Sequence, residues 1–439
     1  MKKLAAVALS VLLAAGMLAG CANTASSSGS ASTAGIAPAS GDVSLSVSWW
    51  GGDSRHEATQ KALEAFSQKY PNITTTTSYG AWTGWEDSMS TALYAGSAQD
   101  VNQVNWNWIF NYDNGGKTFV DLNTLSDYID LSQFSESALE QCTVDGRLSA
   151  IPVSLTGRIF YWNESTFEKA GIKTPTSFDE LLAAGETFKT KLGNEYYPMA
   201  MNELDRTIFL VWALECKYGK NWVEDGKLNY TQQEIAEGLA LITQLEEAHV
   251  IPTIQTLAGD GAESLDKNPK WMDGRYAGIF EWDSSASKFG KALNEGQSFI
   301  VGDYLTGFGE FKGGFTKVSL GFAITQTCKN PAEAAQLINF LLNEEEGVKL
   351  MGSERGIPLS KAALEICKAN DLLDPVVAQA NEKVLSWSSF SLDPTFEDAK
   401  LKATDGVYYD VMAGLSYKDY TAEQAAEILV EGINTVLAA

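Results

Sequence analysis

Apolar and polar residues alternate from Val43 to Trp50 (VSLSVSWW), the period of a β-strand, and the run closes on two aromatics. Gly51-Gly52-Asp53 interrupts it. Ser54 and Glu57 then stand at the spacing of a capping box. Ala58, Ala62, Phe66 and Tyr70 recur every fourth residue, with Leu63 beside them. That spacing predicts an amphipathic helix, stopped by Pro71-Asn72. Threonine-rich residues 73–78 read as a second strand, 86–94 as a second helix and Val101–Asn105 as a third strand. The alternation of strand and helix predicts an α/β unit with mainly parallel pairing.

Further on, Asp145-Gly146 within residues 143–153 is a hairpin signal, and residues 158–162 again read as strand. Thr174-Pro175-Thr176-Ser177 opens a helix containing Phe178, Leu181 and Leu182, and helical spacing dominates to about residue 250. Residues 277–280 and 318–324 read as short strands. Asn330-Pro331 places a cap residue before a proline at the first helical position. The helix that follows carries an apolar stripe of Ala334, Leu337, Ile338, Leu341 and Leu342. Beyond Ile357-Pro358 the pattern is mostly helical.

The first residues follow a different rule. Lys2 and Lys3 precede an uncharged apolar run, Leu4 to Leu18, with small residues leading to Cys21. These are the parts of a secretory signal peptide, and the run is short for a membrane span. Leu18-Ala19-Gly20-Cys21 resembles the bacterial lipobox, in which the cysteine is lipidated and becomes the new N-terminus; two acyl chains, as the resemblance implies, suffice for stable anchoring. Residues 22–41 are small and uncharged, a composition that cannot bury a core. They read as a flexible tether with a reach of roughly 25 Å.

The chain has 439 residues and a formal net charge of −24, which argues against nucleic acid and against electrostatic docking on anionic lipid. The body is too long for one ordinary core, so two lobes are expected. Cys142, Cys216, Cys328 and Cys367 are scattered, so disulfides and buried free thiols both remain open. With two histidines, His56 and His249, no metal site is expected, nor any cofactor.

Four stretches resemble the carbohydrate-type extracellular solute-binding lipoproteins of bacterial ABC importers: SVSWWGGDSRHEATQKALEAFSQKYPNI, DVNQVNWNWIF, LSAIPVSLTGRIFYWNESTFEKAGIKTPTSFDELL and LGFAITQTCKNPAEAAQLINFLLNEEEGVKLMGSERGIP. Their order and spacing carry the likeness. It implies an α/β, two-lobed periplasmic-binding-protein-like fold with a hinge and an interlobe ligand cleft. Lobe one would be 42–151 plus 319–356, and lobe two 152–318 plus 357–439. It also implies a monomeric receptor without catalytic residues, held at the extracytoplasmic face of the cell membrane by lipid on Cys21. Its partners would be an oligosaccharide and ABC transporter permease subunits.

Six of the twelve tryptophans lie within residues 49–108. Trp49 and Trp50 face opposite ways on their strand, so one is expected in the core, and Trp50 is taken for the site. Trp82 and Trp85 lie in a glycine-flanked loop, a poor place for core residues. Asn105, Trp106 and Trp108 follow a parallel strand at its carboxyl end, where open α/β sheets bind ligands; of the two tryptophans, one is expected to bind and one to pack. Flat rings cover the C–H face of a pyranose, while planar polar groups satisfy its hydroxyls. Asp53 and Arg55, where the first strand meets its helix, are candidates for that polar role, although Asp53 equally suits a cap; Gly51-Gly52 leaves room for a ligand. In lobe two the resemblance points to Tyr161. Trp282 and Asp283 leave a strand and suit stacking and hydroxyl binding. Arg355 sits at the last crossover, facing either the ligand or an acid at the hinge. Two other readings stand: a secreted glycoside hydrolase with two carboxylates about the scissile bond, and the same fold binding a polyamine or peptide.

Overall fold

The computed structural model describes residues 37–438. The leader with Cys21, and the tether as far as residue 36, lie outside the described residues. Strand β1 (Val43–Trp50) is parallel to β2 (Ile73–Gly80), with Val43 opposite Ile73 and Trp50 opposite Gly80. On its other side it is parallel to β3 (Val101–Asn105). Helices α1 (Asp53–Lys69) and α2 (Trp85–Tyr94) make the crossovers. Val43, Leu45, Val47 and Trp49 are buried on one face of β1. On the other, Ser46 and Ser48 donate to Asp100 and Asn102 at 2.7 Å each, and Trp50 is also buried. A parallel sheet covered on both faces therefore buries both adjacent tryptophans, not one.

The capping box at Ser54 does not form. Helix α1 starts at Asp53, with Gly52 as an N-cap that makes no side-chain bond. Ser54 is thus already inside the first turn, and its hydroxyl donates to Glu354 at 2.8 Å, while Glu57 pairs with Lys61 at 2.7 Å.

The first sheet continues with β4 (Ile151–Thr156), followed in the chain by β5 (Arg158–Asn163), β6 (Gly278–Trp282), β7 (Phe299–Val301), β8 (Phe315–Ile324) and β9 (Phe390–Ser391). Strand β8 runs antiparallel to both β3 and β4, and its first residues pair in parallel with β9. The expected parallel pairing thus holds across β1, β2 and β3; β8 returns from the other lobe and runs antiparallel to its two long neighbours, β3 and β4. Strands β6, β5 and β7 form a second, antiparallel sheet, packed through Phe160, Phe280, Phe209 and Trp212 onto the helix Glu203–Tyr218. These two sheets centre the two lobes.

The chain changes sheet at Gly157. A Cβ there would lie 2.5 Å from Val384 Cγ1 and 2.8 Å from the Phe315 carbonyl oxygen, so glycine is needed for the close approach. Strand β4 stays in the first sheet to Thr156, and β8 joins that sheet from Phe315, so lobe edges drawn at 151/152 and 318/319 cut through both strands. Cys142, Cys216, Cys328 and Cys367 are buried free thiols.

Candidate functional site

Strands β1, β2 and β3 end at the same edge of the first sheet, at Trp50, Gly80 and Asn105. The loops beyond them meet there. The Trp50 ring centre is 5.1 Å from that of Trp82 and 5.3 Å from that of Trp108. Trp82 lies 11° from parallel to Trp108 at 6.0 Å. Trp108 is fully buried and Trp82 is 41% exposed; the Trp108 indole N–H donates to Glu86 Oε1 at 2.9 Å. The inner ring is sealed in the lobe and the outer ring is partly open to solvent.

A polar chain runs from this wall to the second lobe. Lys402 Nζ stands 5.5 Å over the Trp82 ring, with Glu397 Oε2 at 3.3 Å and Glu86 Oε2 at 3.5 Å. Glu397 also pairs closely with Lys317 and accepts from Asn105 Nδ2 at 2.7 Å, and its carbonyl accepts from Asn107 at 2.8 Å. Lys317 in turn lies 4.9 Å over the Trp282 ring, and the Arg158 guanidinium lies 4.6 Å from the same ring. Arg158 reaches Asp205 at 2.7 Å and Glu281 at 3.2 Å.

These charges are set by burial against pairing. Burial opposes ionisation of Glu397, yet Lys317, Lys402 and the hydrogen bonds hold its carboxyl well below the usual range. Burial alone would lower Lys402, but Glu397 and Glu86 keep it raised. Burial lowers Lys317 despite Glu397, and raises Glu281 against the pull of Arg158.

Of the residues picked from sequence, Trp50, Trp82, Asn105, Trp108 and Trp282 join this arrangement. Trp85, half-buried, opens α2 behind the Trp82 loop. The others lie elsewhere. Trp106 is buried, donating its indole N–H to the Gln141 carbonyl at 2.7 Å, so the fully buried Trp108 is the one that shapes the wall. Tyr161 is fully buried, stacked 5.1 Å from Phe299, and burial pushes its hydroxyl pKa up; on the central strand of the second sheet it faces the core. Asp53 is exposed in the first turn of α1. Arg55 folds back, donating to the carbonyls of Glu354 (2.9 Å) and Trp50 (3.2 Å). It occupies the room expected at Gly51, where a Cβ would lie 2.5 Å from Arg55 Cδ.

Asp283 and Arg355 serve the crossovers. Asp283 accepts from Thr156 (2.5 Å), Asn381 (2.6 Å) and the Ser284 amide (2.7 Å), and its amide donates to the Gly157 carbonyl at 3.0 Å. Burial pushes its carboxyl up to about 6 against those bonds. Arg355 is buried, donating to Gln103 (2.8 Å) and Thr59 (3.0 Å) over the Phe322 ring, and so meets neither a hinge acid nor the aromatic wall.

Sequence reasoning missed Glu86, Arg158, Lys317, Glu397 and Lys402. Only Arg158, at the start of a predicted strand beside the crossover, carried a positional signal.

Two α/β lobes, with aromatic strand ends and an ion-paired network between them, define a solute-binding protein. The chain belongs to the bacterial extracellular solute-binding protein family, whose sequence model matches residues 52–348. A periplasmic oligogalacturonide binding protein from Yersinia enterocolitica, solved with saturated digalacturonic acid, is similar at 33% identity and TM-score 0.85, over 90% of this chain and 99% of that one. A second structure of an oligogalacturonide binding protein from Yersinia enterocolitica gives 34% identity and TM-score 0.71 over the same shares. A periplasmic solute binding protein from Pectobacterium atrosepticum matches at 30% identity and TM-score 0.85, again over 90% of this chain and 99% of that one. Among the described residues no helix is long and apolar enough to cross a membrane.

Proposed function

We propose that this protein is an extracytoplasmic receptor that closes its lobes on an oligosaccharide bearing uronic acid units and delivers it to the permease subunits of an ABC importer. Lipid on Cys21 would hold it at the membrane. The observation that carries the reading is the stacked pair Trp82–Trp108 with Lys402 over the outer ring. An indole face suits a pyranose and an ammonium suits its carboxylate. The likeness to an oligogalacturonide binding protein at 33% identity supports the same class of sugar. A ligand touching both lobes favours the closed state by its differential affinity.

Glu86 and Glu397 already engage Trp108, Lys402, Lys317 and Asn105, and Glu397 is held firmly ionised. A carboxyl held that low is not poised as the raised-pKa general acid of a glycosidase. Three cations in the cleft count against a polyamine. The test is thermal unfolding against digalacturonic acid, neutral oligosaccharides, polyamines and peptides, with the glycans analysed afterwards. A bound ligand at one hundred times its Kd stabilises by about 2.7 kcal/mol. A shift with the acidic sugar, recovered intact, is expected; cleaved sugar, or a shift with cations only, overturns the reading.

A further inference from the structure

We propose that Lys402 reads a carboxylate of the bound sugar by exchanging Glu86 for the ligand, so that closure of the lobes is tied to an acidic cargo. The inference rests on the uronic-acid reading above and assigns the group that discriminates.

Lys402 is the least satisfied cation of the cleft. Its ammonium has three donors, and its two carboxylate partners stand at 3.3 and 3.5 Å. A charge-assisted N–H···O bond settles at about 2.7–2.9 Å. Lys317 and Arg158, by contrast, hold close partners. Glu397 is not free to move nearer, because Lys317 takes Oε1 and Asn105 takes Oε2. Glu86 is free to leave. It lies in the first turn of α2, where Trp108 holds Oε1 while Oε2 makes only the long 3.5 Å contact with Lys402.

The two partners come from different lobes. Glu86 follows the β2 loop of the first lobe. Lys402 ends the short helix Ala399–Lys402, which packs on Val407–Tyr417, and that helix packs on Glu203–Tyr218 of the second lobe. The Glu86–Lys402 pair thus spans the cleft at its aromatic wall. A uronic acid stacked on Trp82 carries its carboxylate at the ring edge, beneath the ammonium that lies over the same indole. It can take the place of Glu86 with no net change in charge at Lys402. A neutral or esterified sugar cannot, and leaves Glu86 where it is.

The experiment is isothermal titration of the protein with saturated digalacturonic acid, its dimethyl ester and neutral digalactose. Lys402→Gln is expected to lose about ten- to a hundredfold in affinity for the acid, the range of a hydrogen bond between charged groups, while its affinity for the ester changes little. Glu86→Gln keeps an acceptor for Trp108 and removes the competing charge, so it is expected to bind the acid more tightly and the ester unchanged. Lys402→Arg, checked by its melting midpoint, retains a preference for the acid. If Lys402→Gln does not fold, Glu86→Gln and Lys402→Arg decide. A wild type that prefers the acid, with variants that keep the same acid-to-ester ratio, overturns the assignment of Lys402 alone. A wild type with no preference for the acid overturns the uronic-acid reading and this inference with it.

Discussion

Trp82 and Trp108 lie nearly parallel, 6.0 Å apart and 11° between ring planes, one 41% exposed and the other sealed in the lobe. The pair separates two jobs that a single aromatic would confuse. Trp82→Ala is expected to weaken sugar binding by about 1–3 kcal/mol and to leave the melting midpoint nearly unchanged. Trp108→Ala is expected to lower stability by about 3–5 kcal/mol, as for other buried large side chains. Calorimetric titration and denaturant unfolding separate the two.

Across the cleft, Trp282 carries Lys317 and Arg158 on its ring. Trp282→Ala is expected to cost about 1–3 kcal/mol of affinity. Unchanged binding in both Trp82→Ala and Trp282→Ala, with the fold intact, would move the ligand away from these rings.

Among the described residues, Glu397 is the only carboxylate paired to Lys317. Glu397→Gln leaves a buried ammonium unpaired and is expected to destabilise by about 3–5 kcal/mol. The folded pKa lies below the unfolded value, so this stability is present above the unfolded pKa and is lost as pH falls. Acid unfolding of the wild type should therefore be steeper than that of the variant.

Glu215 works with the opposite sign. It is buried in the second lobe, where Oε2 accepts from the Gly314 amide at 2.8 Å. Burial pushes its carboxyl up to about 8 despite that bond. Stability is full below the unfolded pKa and falls as pH rises towards 8, at about 1.4 kcal/mol per unit. Glu215→Gln keeps an acceptor and removes the titration, so the midpoint of the variant should vary less between pH 5 and 8.

Gly157 is where the chain leaves one sheet for the other. Gly157→Ala drives a methyl group into Val384 and the Phe315 carbonyl, at an expected cost of about 1–3 kcal/mol. Small-angle scattering with and without ligand should then show impaired closure as well as a lower midpoint.

Much of the fold was legible along the chain. Alternation marked β1, fourfold apolar spacing marked α1, and Asn330-Pro331 marked the start of the helix Pro331–Asn343. Period and punctuation are local properties, so they survive without a structure. The capping box at Ser54 misled because Gly52 caps the helix two residues earlier than that motif requires. Tyr161 and Trp106 misled because an aromatic near a strand end can face the lobe interior as readily as the cleft.

The sequence by itself determined which loops would meet: parallel strands joined by right-handed crossovers end at one edge, and that brought Trp50, Trp82, Asn105 and Trp108 together. Only the tertiary structure decided which charges face them. Lys317, Glu397 and Lys402 stand far along the chain from Glu86 and Asn105, and a chain with 56 acidic and 32 basic residues offers too many pairings to choose from. Ion pairing has no sequence period; it follows from which lobes close on which, and from how deeply each charge is buried when they do.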